Sequence, residues 1–303
     1  MKRIGLLLIT NFAVVAVLGL VWNILDATFG LTEYFMAQGL PAGFGFIAVF
    51  SLALGFGGSF ISLLMSKGSA IKSMGVQVIE NPTSKQERWL FNVVQRQAEQ
   101  VGIDMPDVGI FHANEPNAFA TGARKNNALV AVSTGLLQHM TADEVEAVLG
   151  HEMAHVANGD MVTQTLLQGV LNTFVIFGSR MIAHLVNSVL SGNRQGGGSS
   201  FGATYFIVSM VAQVLLGFLA NMVVMWFSRY REFHADKGGA DLAGREKMIA
   251  ALQKLQQVNQ PHDLPGEMAA FGIAGGLGDG MKKLFMTHPP LEERIAALQN
   301  AKY

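Results

Sequence analysis

The chain has 303 residues, half of them hydrophobic, with a mean hydropathy of +0.33 and only 14% charged residues. That balance is too apolar for an ordinary water-soluble domain and suits an integral membrane protein. A formal net charge of -1 leaves no basic excess to neutralise phosphates, so nucleic acid is not an expected partner. The absence of cysteine removes disulfides, thiolate metal sites and cysteine nucleophiles together, so any metal has to be held by His, Asp or Glu.

In chain order, residues 4–24 and 40–64 are charge-free runs, each long enough to cross a hydrocarbon core of ~30 Å as a helix. Lys2 and Arg3 precede the first run as they would in a signal peptide. Its apolar stretch is long and no small-x-small cleavage site follows, so it reads as a retained anchor. Residues 74–79, 108–111 and 128–132 are short β-prone runs, and 82–101 has helical periodicity, which together make a small soluble sheet with helices. Residues 162–190 are apolar but carry a polar stripe of Gln164, Gln168, Asn172, Arg180 and His184 at multiples of four. Two readings stand: the stripe lines a wet cavity, or it hydrogen-bonds to neighbouring helices while Arg180 and His184 lean to the far interface. Residues 201–227 form a fourth apolar run, and 191–200, with Gly196-Gly197-Gly198, a flexible connector. Residues 266–280, rich in glycine, read as a flap over a cleft or a loop at the membrane surface.

The expected organisation is a transmembrane hairpin (1–65), a first soluble part (66–160), a second hairpin (161–228) and a second soluble part (229–303). Lys2, Arg3, Lys67, Lys72, Arg229, Arg231 and Lys237 flank the runs on one side, while the loop 25–39 has no basic residue. The positive-inside rule then puts both termini and the soluble parts in the cytoplasm.

The chemistry centres on His151-Glu152-Met153-Ala154-His155. Positions i and i+4 share one helix face, so both imidazoles can reach one zinc, and Glu152 can take a proton from water beside it. A catalytic zinc needs a third protein ligand. The second hairpin returns the chain to the same side at Arg229-Tyr230-Arg231-Glu232-Phe233-His234-Ala235-Asp236. In a helix Glu232 and Asp236 share a face, so Glu232 can bind the metal and Asp236 can hold the other ring nitrogen of a ligand histidine. His234, about 200° round the helix from Glu232, ranks second as a ligand. Arg229 and Arg231 read as headgroup charges.

These segments, with Asn117-Ala118-Phe119-Ala120-Thr121-Gly122, Asp160, and His288-Pro289-Pro290 followed by Arg294, resemble the HtpX-type membrane zinc metalloproteases over essentially the whole chain. That group belongs to the same broad family as the CAAX prenyl endopeptidases. The resemblance implies an α+β membrane protein with about four spans, a mainly helical gluzincin-like protease domain and a small β-sheet. It implies one Zn2+ per chain on His151, His155 and Glu232, Glu152 as general base, and His288 as an oxyanion donor. It also implies an edge strand that holds extended substrate, for which 128–133 is the candidate, and an Asn117–Gly122 loop near the cleft. Asn117 then bonds substrate backbone or simply shapes its loop. Arg294 joins His288 on the substrate side or is a solvated helix charge. The expected function is hydrolysis of misfolded membrane proteins at the cytoplasmic face of a bacterial inner membrane, a stress-related quality control. Its partners are protein substrates and the lipid bilayer. The alternative is a non-enzymatic membrane scaffold whose zinc site is structural and closed by a fourth protein ligand such as His234.

Overall fold

Three helices among the described residues are long and apolar enough to cross a membrane: Phe44–Met74, Asp160–Leu190 and Ala203–Ala243. The computed structural model describes residues 19–38, 43–191, 202–258 and 288–301. The first expected span falls mostly outside them; its described end is helical over residues 19–29. The 191–200 connector and the 266–280 flap also lie outside the described residues, except Ser191, which ends a helix. Each long helix outruns its apolar segment, most of all Ala203–Ala243, which continues far past the apolar run ending at Phe227. The segment from Arg229 to Asp236 is therefore the unbroken end of a membrane helix.

The chain divides into two units, one drawn from Met1–Phe60 and Leu166–Ala220, the other from Ile61–Thr165 and Asn221–Tyr303. In the first, a Cβ on Gly55 would lie 2.5 Å from the backbone nitrogen of Thr173, so these two helices cross with their backbones in contact. Small residues at such crossings give membrane helices their van der Waals packing. The polar stripe serves the same contact. Gln168 Nε2 donates to Asn172 Oδ1 at 2.8 Å, and Asn172 Nδ2 reaches Ser59 Oγ at 3.4 Å. At Asn172 the stripe thus hydrogen-bonds to a neighbouring helix, as in the second of the two sequence readings.

The second unit holds a four-stranded sheet, with β1 (Gln77–Val78), β2 (Asp107–Phe111), β3 (Ala118–Thr121) and β4 (Leu129–Ser133) in the order β1-β2-β4-β3. β2 and β4 are parallel; β1 with β2 and β3 with β4 are antiparallel. β4 is wholly buried between two partners, so it cannot be the edge strand that 128–133 was expected to be. The edges belong to β1 and to β3, the latter in a segment expected to be loop. Its Ala118 and Ala120 pack into the main core, while Phe119 sits 5.4 Å from Phe111 on the other face.

Helices cover the sheet. Ser84 and Glu87 form a reciprocal capping box at the start of Lys85–Val101, satisfying free backbone N–H groups. The helix that carries the histidines, Ala142–Asn158, starts on a second box, Thr141 with Glu144, and stops at Gly159, whose φ of 68° suits glycine. Leu90, Val94, Leu149, Met153, Met248 and Leu252 fill the core between Lys85–Val101, Ala142–Asn158 and Arg245–Val258. Each such burial contributes roughly 1.5–3 kcal/mol.

Candidate active site

Two helices build the site, and glycine lets them meet. A Cβ on Gly239 would stand 2.9 Å from the His151 backbone nitrogen, and one on Gly150 3.2 Å from Gly239 Cα. A side chain is excluded at Gly239 without a shift and is tight at Gly150, so the backbones of Ala142–Asn158 and Ala203–Ala243 approach closely. Two turns before Gly239, Glu232 then faces the histidines.

The ligand atoms converge. His151 Nε2 lies 3.2 Å from His155 Nε2 and 3.5 Å from Glu232 Oε2, and His155 Nε2 lies 3.3 Å from Glu232 Oε1. A tetrahedral zinc with bonds of about 2.0–2.1 Å needs its ligand atoms about 3.3–3.4 Å apart, so these three positions fit the faces of such a site. The three residues are the group among the described residues that could hold a metal ion.

Both imidazoles are oriented from behind. His151 Nδ1 is 3.0 Å from Asp236 Oδ1, and Arg294 grips Asp236 with Nε at 2.8 Å and Nη2 at 2.5 Å. His155 Nδ1 is 2.7 Å from Asp160 Oδ2, and Arg231 Nη2 is 2.5 Å from Asp160 Oδ1. An Nδ1–H donated to a carboxylate leaves the lone pair on Nε2, so in both neutral rings the lone pair faces the centre. Three acceptor groups meeting at one point favour a positive charge between them, as a proton or a metal ion. Sequence reasoning anticipated Asp236 but missed Asp160 as its counterpart. It also read Arg231 as a headgroup charge, whereas this side chain pairs with Asp160. The signal was the left-handed Gly159, which turns the chain so that Asp160 falls back onto the ring five residues earlier.

The electrostatics agree with a cation site. Burial works against a charged His155, but hydrogen bonds to Asp160 and Glu232 outweigh it and push the ring up to about 10. Burial would raise Glu232, yet His155, His288, His151 and Arg294 hold its carboxyl far below the usual range. Asp236 is likewise lowered, with Arg294 and His151 overcoming burial. Glu232 is only 3% exposed and anionic, so the pocket draws positive charge, whether proton or metal.

A cavity of ≈ 650 Å³ opens against this centre. His151, Glu152, Glu232, Asn117, His288 and Arg294 all contribute to its walls, along with apolar Leu136, Val148, Met248 and Leu252. Asn117 sits where β3 begins: its backbone exchanges hydrogen bonds with Ser133, N–H to Oγ at 2.9 Å and carbonyl from N–H at 2.8 Å. His288 is exposed, with Nδ1 2.8 Å from Glu232 Oε2. Arg294 is 6% exposed and places Nη1 3.1 Å from Glu232 Oε2, which excludes a solvated helix charge. His234 is not at the centre; its Nδ1 lies 3.0 Å from the Tyr230 carbonyl, and its ring lines a separate cavity with Ala154 and Lys237.

Comparison with known proteins bears on this constellation. The model of "Peptidase family M48" matches residues 84–302. "Protease HtpX" of Thioalkalivibrio sulfidiphilus is 56% identical over 299 residues, covering 99% of each chain. "Protease HtpX homolog" of Thiobacillus denitrificans is 57% identical, again over 99% of each. Among solved structures, the crystal structure of S. mikatae Ste24p matches with a TM-score of 0.60 at 18% identity, covering 96% of this chain and 67% of that one. That last likeness concerns the fold alone.

Proposed function

Because this chain belongs to peptidase family M48 and is a membrane metalloprotease, we propose that it is a zinc endopeptidase whose metal is held by His151, His155 and Glu232. The observation that carries the assignment is the convergence of their three ligand atoms at 3.2–3.5 Å on the wall of a cavity that Glu152 also lines. When bound, a zinc there supplies a Lewis acid for the scissile carbonyl and acidifies water. Glu152, next in sequence to His151, takes a proton from the attacking water and delivers it to the leaving amine. Asp160 and Asp236 keep the two rings in the ligating tautomer. His288, exposed on the cavity wall, donates to the carbonyl oxygen as negative charge grows there.

The substrate lies extended along β3. That strand has a partner on one side among the described residues, so its other edge can pair with a peptide backbone, which provides affinity without strict sequence choice. Asn117, where β3 begins, adds a side-chain contact to that backbone. We assign residues 1–65 and 161–228 as two membrane hairpins, counting residues 4–24 as a fourth span, and 66–160 with 229–303 as the two parts of a gluzincin-like protease domain. The distribution of basic residues supports a cytoplasmic domain on an inner membrane. The relatives' names support a protease, and quality control of misfolded membrane proteins is the role that the resemblance to HtpX-type proteases implies.

A closed, structural zinc site is not favoured, because His234, the fourth ligand it would use, is engaged with Tyr230 away from the centre. Glu152→Gln separates the readings. Zinc content stays at one per chain while degradation of a membrane-protein substrate by the purified protein falls by at least about a hundredfold. Undiminished degradation in a preparation free of other proteases would sink the assignment.

A further inference from the structure

The first unit is almost devoid of negative charge. In residues 1–60 and 166–220 the only acidic side chains are Asp26 and Glu33, and Asp26 is occupied by the Thr32 N–H at 2.6 Å. Yet the unit contains Arg180, within about 15 Å of helix from the Leu190 end of its span. Among the described residues Arg180 has no carboxylate partner. Nη1 donates to the Ile176 carbonyl at 3.2 Å, and the guanidinium lies 4.9 Å over the Phe50 ring. A permanent cation in a span is costly unless an anion or the headgroup layer compensates it. Among the described residues, a carbonyl, an aromatic face and the nearby Tyr205 satisfy only part of a group with five donors.

Arg180 lines a cavity of ≈ 580 Å³ whose other wall is the first turns of Ala203–Ala243. Two columns of that helix form the wall. Tyr205, Ser209 and Gln213 recur every four residues, and Phe206, Met210 and Val214 follow one position on. The Ser209 hydroxyl is turned onto the Phe206 carbonyl at 2.9 Å, and the Tyr205 hydroxyl and the Gln213 amide share the cavity wall with the guanidinium. Phe206 is 67% exposed and Val214 68%, so the second column faces the lipid. Arg180 and Gln213 each stand ten residues, about 15 Å, from the hairpin end of their helix, a distance from which a long guanidinium side chain snorkels toward the headgroups.

We propose that Arg180 and Gln213 bind the phosphate of a phospholipid headgroup, with an acyl chain lying along Phe206, Met210 and Val214. The guanidinium fork matches two phosphate oxygens, and the apolar column distinguishes a lipid from a free anion.

The test uses the full-length protein in mild detergent and measures retained ligand by native mass spectrometry. Dioleoyl phosphatidylglycerol, dioleoylglycerol and inorganic phosphate are the probes. The native chain should retain the phospholipid at least about tenfold better than the phosphate-free diacylglycerol. Arg180→Met should abolish that preference, and Arg180→Lys and Gln213→Leu should each reduce it. Should Arg180→Met fail to fold, the other two carry the test: a preference unchanged in both overturns the proposal. Equal retention of the two lipids by the native chain also overturns it. So does binding of inorganic phosphate at the same site with no lipid retention that depends on Arg180, which would mean a free-anion site.

Discussion

Asp160 and Asp236 orient different rings in the same way, each with an arginine behind it. Removing the negative charge and one of the two acceptor oxygens while keeping the side-chain shape isolates this orienting effect. Asp160→Asn should weaken zinc about 10–100-fold, measured by competition with a chromophoric chelator. Unchanged affinity would mean that the His155 ring needs no support. His234→Ala, by contrast, should leave one zinc per chain, because its ring faces Tyr230. At this scale the sequence was most legible where one helix carried the whole relation. His151, Glu152 and His155, and then Glu232 with Asp236, follow from the period of the helix alone. Arg231 and Asp160 sit on different helices, so no spacing within either could reveal their pairing. Nor could spacing show that Arg294 is buried among carboxylates.

Helix crossings set the tolerance of the site. Gly239→Val would drive a branched side chain into the His151 backbone, so the helices must separate. The expected cost is about 1–3 kcal/mol, read as a lower denaturant midpoint together with lost zinc. A variant that kept its metal would show that the crossing has slack. Lys247 pins Arg245–Val258 to the motif helix, reaching Asp143 at 2.7 Å and Glu146 at 2.8 Å. These carboxylates raise the lysine above its ordinary 10.5. A raised folded value means the stabilisation is complete below the unfolded value and fades as pH climbs through the folded one. The difference in melting temperature between the native chain and Lys247→Met should therefore shrink above pH 10.5. A gap that stayed constant there would assign the effect to packing.

Strand positions were harder to read than strand existence. The uninterrupted run Leu129–Val132 marks a strand covered on both faces, which argues for the sheet interior and against an edge. β3 has only four residues, two of them alanine, too short a run to stand out by β-propensity, so its place at the edge comes from packing on the motif helix.

For the molecule as a whole, membrane character was legible because hydrocarbon thickness imposes a minimum apolar length, which composition reveals directly. The extent of the helices was not, since charged turns beyond the bilayer carry no comparable mark. Metal and fold should be coupled in only one unit. Chelation should lower the stability of the unit holding His151, His155 and Glu232, by about 4 kcal/mol if free zinc had stood at a thousand times its Kd. Hydrogen exchange should quicken in residues 85–158 and 229–258 and stay slow in 166–190. Uniform loss of protection would contradict this division.

The order of the ligands along the chain has a further consequence, for biogenesis. His151 and His155 leave the ribosome well before Glu232, and the two membrane helices lie between them. A nascent or truncated chain has two imidazoles and the general base but no third ligand. On the proposed ligand set, hydrolytic competence waits until both of those helices have been synthesised, so a chain truncated before Glu232 is expected to lack activity.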